Sequence, residues 1–173
     1  MPVRKEKRVG LIIPPGLISS LKYKHLLLDT NVFIDASKHP ADFADFFNAL
    51  KESEITVATI DCVKIEFLRG ASDDREYQEK ESYFSNITNI ILPTDAEIIK
   101  NSYELVKRYR QQGGTIAFTD FYLGANLMKF RSNIYLLSKN TTELPLTIFD
   151  LKYIINYPLN KGIFTYGVYT IKS

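Results

Sequence analysis

The sequence predicts a layered α/β fold built on a parallel sheet. Two observations predict it. From about residue 25 to residue 137, short apolar runs alternate with longer helical patterns, the rhythm of strands joined by crossover helices. The first run, Leu26-Leu27-Leu28, has no polar face and stops at Asp29-Thr30-Asn31. Parallel strands buried on both faces read as such unbroken runs, and ligands of open α/β sheets bind beyond their carboxyl ends, so Asp29 is expected at the mouth of a crevice. Asp29 and Thr30 are equally good N-cap residues for the helix that follows, and this segment alone supports both readings.

The elements follow in order. A helical pattern runs from about Val32 to Lys51, with Phe33, Phe43, Phe46, Phe47 and Leu50 at apolar positions and Pro40 interrupting it. Ile55 to Ile60 is β-rich, and Asp61 is placed to cap a helix through Val63, Ile65, Phe67 and Leu68 to Gly70. A charged stretch, Asp73 to Glu81, leads to an expected strand over Ile87 to Leu92. Thr94 and Glu97 have capping-box spacing for a helix that carries Ile98, Ile99, Leu105 and Val106 and ends at Gly113-Gly114. A helix over about Thr119 to Phe130 feeds the apolar strand Asn133 to Leu137. The chain divides into a basic extension at residues 1–24, a main body at 25–150 and a β-prone extension at 151–173, rich in Tyr and Ile, packed on the same domain.

Composition narrows the chemistry. At 173 residues and 45% hydrophobic the chain suits one domain with its own core. A net charge of +2 permits an anionic partner without demanding one. The single cysteine, Cys62, excludes an intramolecular disulfide and a Cys-rich zinc site, which fits a reducing cytoplasm. Only His25 and His39 are available, without partners at ligand spacing, so zinc or Ser-His-Asp chemistry has almost nothing to build on. Pro14-Pro15 breaks the apolar segment after the basic start too early for a signal peptide, and no run is long enough to cross a membrane. The chemistry expected is carboxylate chemistry.

Two further acids stand in apolar company. Glu66 lies in Ile65-Glu66-Phe67-Leu68-Arg69-Gly70-Ala71, and Asp120 follows Phe118-Thr119 at the start of a helix. Burying a lone carboxylate costs several kcal/mol unless it is paired, hydrogen-bonded or metal-bound. Lys64 and Arg69 are at hand to pair with Glu66, and an acid at a helix N-terminus is favourable by itself, but neither explains the set.

In this order the motifs resemble those of PIN-domain ribonucleases, and especially the VapC-like toxins. Leu28-Asp29-Thr30-Asn31 matches the first element, the Glu66 segment the second, and Phe118-Thr119-Asp120 the third. Leu137-Ser138-Lys139-Asn140-Thr141-Thr142-Glu143-Leu144 resembles the polar loop that closes the pattern. The resemblance implies a three-layer α/β/α fold with a central, mainly parallel sheet. It also implies a metal-dependent endoribonuclease using Mg²⁺ or Mn²⁺, an RNA substrate, an antitoxin partner, a homodimer and no membrane association. It makes Asp29, Glu66 and Asp120 catalytic metal ligands. Asn140 and Glu143 stand where many relatives carry aspartates, and are further metal candidates; Gly124 replaces a position that is acidic in some relatives. Hard oxygen ligands suit Mg²⁺ or Mn²⁺ and phosphodiester hydrolysis. Thr30, Asn31 and Ser138 are expected to orient ligands or water, and Arg69, Lys129, Arg131 and Lys139 to meet substrate phosphates. Each of these cations taken alone is equally readable as a solvated surface charge. The arm with Arg4, Lys5, Lys7 and Arg8 is read as either nonspecific phosphate affinity or a disordered terminus, Asp35 as solvent-exposed or helix-stabilising, and Asp42, Asp45, Asp73 and Asp74 as surface acids. A dehalogenase-like phosphatase requires an Asp where Asn31 stands. The competing reading is a degenerate module of the same fold that binds RNA or protein without cleaving.

Overall fold

A computed structural model describes residues 10–112, 116–139 and 142–173. The apolar run before Asp29 forms strand β1 (His25–Leu28), with Leu26, Leu27 and Leu28 wholly buried. It pairs in parallel with β2 (Thr56–Ile60) on one side and β4 (Ile134–Ser138) on the other, and β3 (Ile90–Leu92) lies parallel beyond β2. Two antiparallel strands, β5 (Phe149–Leu159) and β6 (Gly162–Ile171), complete the order β3-β2-β1-β4-β6-β5. Chain order reverses between β1 and β4, and such a switch point opens a crevice beyond the strand ends.

Right-handed crossovers place the helices. The first two connections run in one direction across the sheet and put α2 (Thr30–Lys38), α3 (Pro40–Glu52), α4 (Asp61–Arg69) and α5 (Asp74–Ile87) on one face. The return to β4 puts α6 (Ala96–Gln112) and α7 (Phe118–Phe130), packed on each other, on the opposite face. The result is the mixed three-layer fold with a mainly parallel sheet.

Several local expectations change. Pro40 does more than interrupt a helix: it is the first residue of α3, where a missing N–H costs nothing, so α2 and α3 are separate. The charged stretch from Asp73 is a helix, capped by the Asp73 carboxylate on the Glu76 N–H at 2.8 Å; only Phe84 of α5 is fully buried, too narrow a stripe for periodicity to show. Ile87 therefore ends a helix, and β3 starts at Ile90. The cap of α6 is Asp95, whose Oδ1 accepts from the Ile98 N–H at 3.0 Å, where Thr94 was expected. Asp61 is the first helical residue of α4, and Ile60 occupies the cap.

Residues 10–21 join the same body as the C-terminal strands. Ile12 bridges to Asn156 of β5, and the short helix α1 (Leu17–Leu21) buries Leu17 and Leu21. Arg4, Lys5, Lys7 and Arg8 lie outside the described residues. The β5–β6 hairpin outruns the sheet: pairing of β4 with β6 stops at Ser138 opposite Gly167, so residues 162–166 project past the strand ends by roughly 15 Å. Phe43 of α3 packs edge-on against Tyr157 and Tyr166 of this projection. A Cβ at Gly167 would lie 2.4 Å from the Tyr169 ring, so only glycine lets that ring fold over the strand. No described helix is long and apolar enough to cross a membrane.

Candidate active site

Asp29 is the first residue past β1 and caps α2, so the two sequence readings of it coexist. Its Oδ1 accepts from the Thr30 N–H at 2.7 Å. Its Oδ2 accepts from Ser138 Oγ, at the end of β4, at 2.7 Å and from Asn31 Nδ2 at 3.4 Å. Asn31 Oδ1 in turn accepts from the Lys139 N–H at 3.0 Å. The residues expected to orient Asp29 are thus in contact with it, across the switch point between β1 and β4. Burial pushes the Asp29 carboxyl above its ordinary range against these hydrogen bonds, and repulsion from Glu66 and Glu143 adds to the rise.

Glu66, on α4 beyond β2, is half-buried and held at both oxygens. Oε2 accepts from Thr30 Oγ1 at 2.6 Å and Oε1 from Thr119 Oγ1 at 2.5 Å. One carboxylate therefore ties the start of α2 to the start of α7. Asp120, in the first turn of α7, is 4% exposed, and its Oδ2 has no hydrogen-bond partner among the described residues. Burial, then repulsion from Asp29 and Glu143, drives its carboxyl up to about 8. Glu143, in the loop between β4 and β5, acts on both aspartates and shares a hydrogen bond with Asp120, while its backbone carbonyl accepts from Tyr109 at 3.2 Å. Four acids from four segments thus act on one another at the strand ends, and Glu143 is the one that the loop contributes. Asn140 lies outside the described residues.

The cations distribute differently from expectation. Arg69 is exposed one helical turn beyond Glu66. Lys139 follows Ser138 at the end of β4, with its backbone N–H on Asn31 and its Nζ 2.9 Å from Asp35 and 3.4 Å from the centre of the Phe164 ring. Lys129 and Arg131 do not flank the mouth. Nine residues after Asp120, about 13 Å along α7, Lys129 is ion-paired with Asp95 and lies 3.8 Å from Glu97. Arg131 occupies the turn that enters β4, at the opposite end of that strand from Ser138.

Sequence reasoning missed two residues. Thr119 is 3% exposed and donates to Glu66; its signal was a lone hydroxyl beside the Ile116-Ala117-Phe118 run and next to Asp120. Asp35 is no surface acid but 7% exposed, accepting from Tyr166 Oη at 2.6 Å; its signal was helical spacing from buried Val32 and adjacency to Ala36. Asp42 likewise accepts from the Tyr157 hydroxyl.

As placed, no three ligating side chains among the described residues enclose an ion. The donor set fits a hard divalent cation nonetheless. All the donors are oxygens, the acids repel one another, and a buried Asp120 oxygen is unsatisfied among the described residues. Mg²⁺ is held through one or two carboxylates with several waters and substrate phosphates, so a closed protein cage is not required.

The PIN domain family model matches residues 26–131. Among solved structures, VapBC2 from Rickettsia felis bound to a DNA fragment from their promoter superposes with a TM-score of 0.60 at 24% identity, covering 69% of this chain and 90% of that one. VapBC-1 from nontypeable Haemophilus influenzae gives a TM-score of 0.54 at 17% identity, covering 69% and 89%. At these identities the likeness is one of fold. No curated protein is a significant match to the sequence.

Proposed function

The chain belongs to the PIN-domain family, whose members are generally nucleases, and on that premise we propose that it is a cytoplasmic Mg²⁺- or Mn²⁺-dependent endoribonuclease, the toxin of a toxin–antitoxin pair. One observation carries the reading: buried Asp29 and Asp120 share the strand ends with Glu66 and Glu143, and their carboxyls are raised by burial and mutual repulsion.

Asp29, Glu66, Asp120 and Glu143 hold the metal, directly or through water. A bound Mg²⁺ or Mn²⁺ supplies an activated water and offsets phosphate charge. The protein supplies the orientation. Ser138, Asn31 and the Thr30 N–H fix Asp29, and the Thr30 and Thr119 hydroxyls fix both oxygens of Glu66, so the carboxylates turn little when charge arrives. The overall reaction adds water to a phosphodiester and releases one ribose oxygen as a hydroxyl. An antitoxin-type protein and a second copy of the chain are the partners proposed; structural neighbours solved as VapBC complexes support the first.

The test is cleavage of end-labelled structured RNA in Mg²⁺ or Mn²⁺, in chelator, and by Asp120→Asn, with Mn²⁺ binding measured by calorimetry. Cleavage lost in both controls is the expected result. Metal binding without cleavage of any RNA would instead favour the non-cleaving binding module.

A further inference from the structure

Asp35 and Lys139 form an arrangement that the metal site does not use. Asp35 lies in the second turn of α2, and its Oδ2 takes both the Tyr166 hydroxyl at 2.6 Å and the Lys139 ammonium at 2.9 Å. The same ammonium rests on the Phe164 ring of the projecting hairpin at 3.4 Å. The Lys139 backbone is pinned to Asn31, and the residue before it donates to Asp29. A lysine is ordinarily a mobile point charge on a four-carbon stem. This one is fixed at its backbone, at Asp35 and on an aromatic face, yet a third of its side chain remains open to solvent.

We propose that Asp35 is a positioning residue that holds the Lys139 ammonium beside the carboxylate cluster as a phosphate-binding cation for the RNA; the inference rests on the nuclease reading above. A polyanion approaching four clustered acids is repelled, and a fixed cation at the rim of the strand ends lowers that repulsion. An ammonium carries three donors, of which Asp35 engages one, leaving donors for a phosphate oxygen. Tyr166 keeps Asp35 satisfied when the lysine turns toward substrate, so the acid is not left bare in a buried place. Burial and the Asp35 charge both hold the Tyr166 hydroxyl in the protonated, donating form that this requires.

A stabilising link between α2 and the hairpin would use the same contacts, and kinetics separate the two roles. Michaelis constants are measured on a short labelled single-stranded RNA in Mn²⁺ over a salt series, with thermal melts alongside. Lys139→Met, which keeps packing on Phe164, is expected to raise KM about tenfold with kcat within about twofold, and to reduce the salt slope by about 0.7, one phosphate contact. Asp35→Asn is expected to raise KM similarly while keeping the salt slope, because the charge remains but its place is lost. The double variant is expected to be no worse than Lys139→Met, and Lys139→Arg to stay within about threefold of wild type. Lower melting temperatures with unchanged KM in both single variants, or additive KM effects in the double, would overturn the proposal. If wild-type protein cleaves no RNA, the nuclease reading fails on its own. Fluorescence anisotropy of labelled RNA then decides this proposal: weaker binding by both variants sustains it, and wild-type binding overturns it.

Discussion

The two ends of the parallel sheet carry opposite electrostatic designs. Where β1 and β4 end, Asp29, Glu66, Asp120 and Glu143 crowd together, hydroxyls and N–H groups hold the Asp29 and Glu66 oxygens, and two of the acids are forced toward protonation. Where β4 begins, charges meet opposite charges: Lys129 with Asp95 and Glu97, and Lys152 and Lys172 with Asp150. A folded chain left to its own stability would arrange both ends in the second way. Buried acids pressed against one another mark a place where stability has been given up for binding something positive.

Substitutions at the acid end break this contrast most severely. Asp120→Asn removes the most strongly perturbed carboxylate without changing its shape, and cleavage of labelled RNA is expected to fall by at least about 100-fold, since even residues behind metal ligands are worth about 10–100-fold. Thr119→Val keeps the volume and deletes one hydrogen bond to Glu66, so a loss of about 10–100-fold is expected in the same assay, with an unchanged melt.

Stability against pH sharpens the contrast without any substrate. With chelator present, the folded protein holds the Asp120 proton up to about pH 8, whereas the unfolded chain releases it near 3.8. The folded state therefore binds more protons between those values. Its stability is greatest at the acid end of that window and falls as pH rises to about 8, by at most about 1.4 kcal/mol per pH unit from this group. Asp29 acts in the same direction. Denaturant melts from pH 5 to 8 are expected to show the slope, Asp120→Asn to flatten it, and saturating Mn²⁺ to oppose it, because metal binding requires the deprotonated acids. A chelated wild-type protein whose stability rises with pH over this range would count against an uncompensated cluster.

The acid end was legible in the sequence for a physical reason. A carboxylate inside an apolar segment is conspicuous, and three such anomalies in order, at Asp29, Glu66 and Asp120, announce themselves without a structure. Whatever depended on long-range partners was not legible. Asp35 looked like any acid on a helix until β6 brought Tyr166 across from 131 residues away. The α5 helix hid because a single fully buried residue gives no period. Gly124 read only as a missing acid, yet a Cβ there would meet the Leu105 methyl at 2.7 Å and the Phe149 ring at 3.3 Å, so a larger side chain would have to displace the packing between α6 and α7. Lys129 and Arg131 were assigned to the mouth because they follow Asp120 in sequence. A helix of thirteen residues carries its two ends to opposite ends of the strands it packs on, and proximity in sequence misled for that reason.

Those two cations give the smallest expected effect and the cleanest control. Lys129 sits in the last turn of α7 and reaches Asp95, whose other carboxylate oxygen caps α6, so one acid ties the end of one helix to the start of its neighbour. The Asp95 carboxyl lies below its ordinary range chiefly through that lysine, and the lysine above its own chiefly through the acid. Both side chains are partly exposed, so solvent and salt screen the pair and Lys129→Met is expected to cost little stability in a denaturant melt. Arg131→Ala, at an exposed turn, is expected to cost no more. If charge at this end serves only to join helices, both variants cleave short RNA at the wild-type rate. A KM that rises in either, with the melt unchanged, would show that substrate reaches around α7 to the far end of the sheet, and the division of labour between the two ends would have to be redrawn.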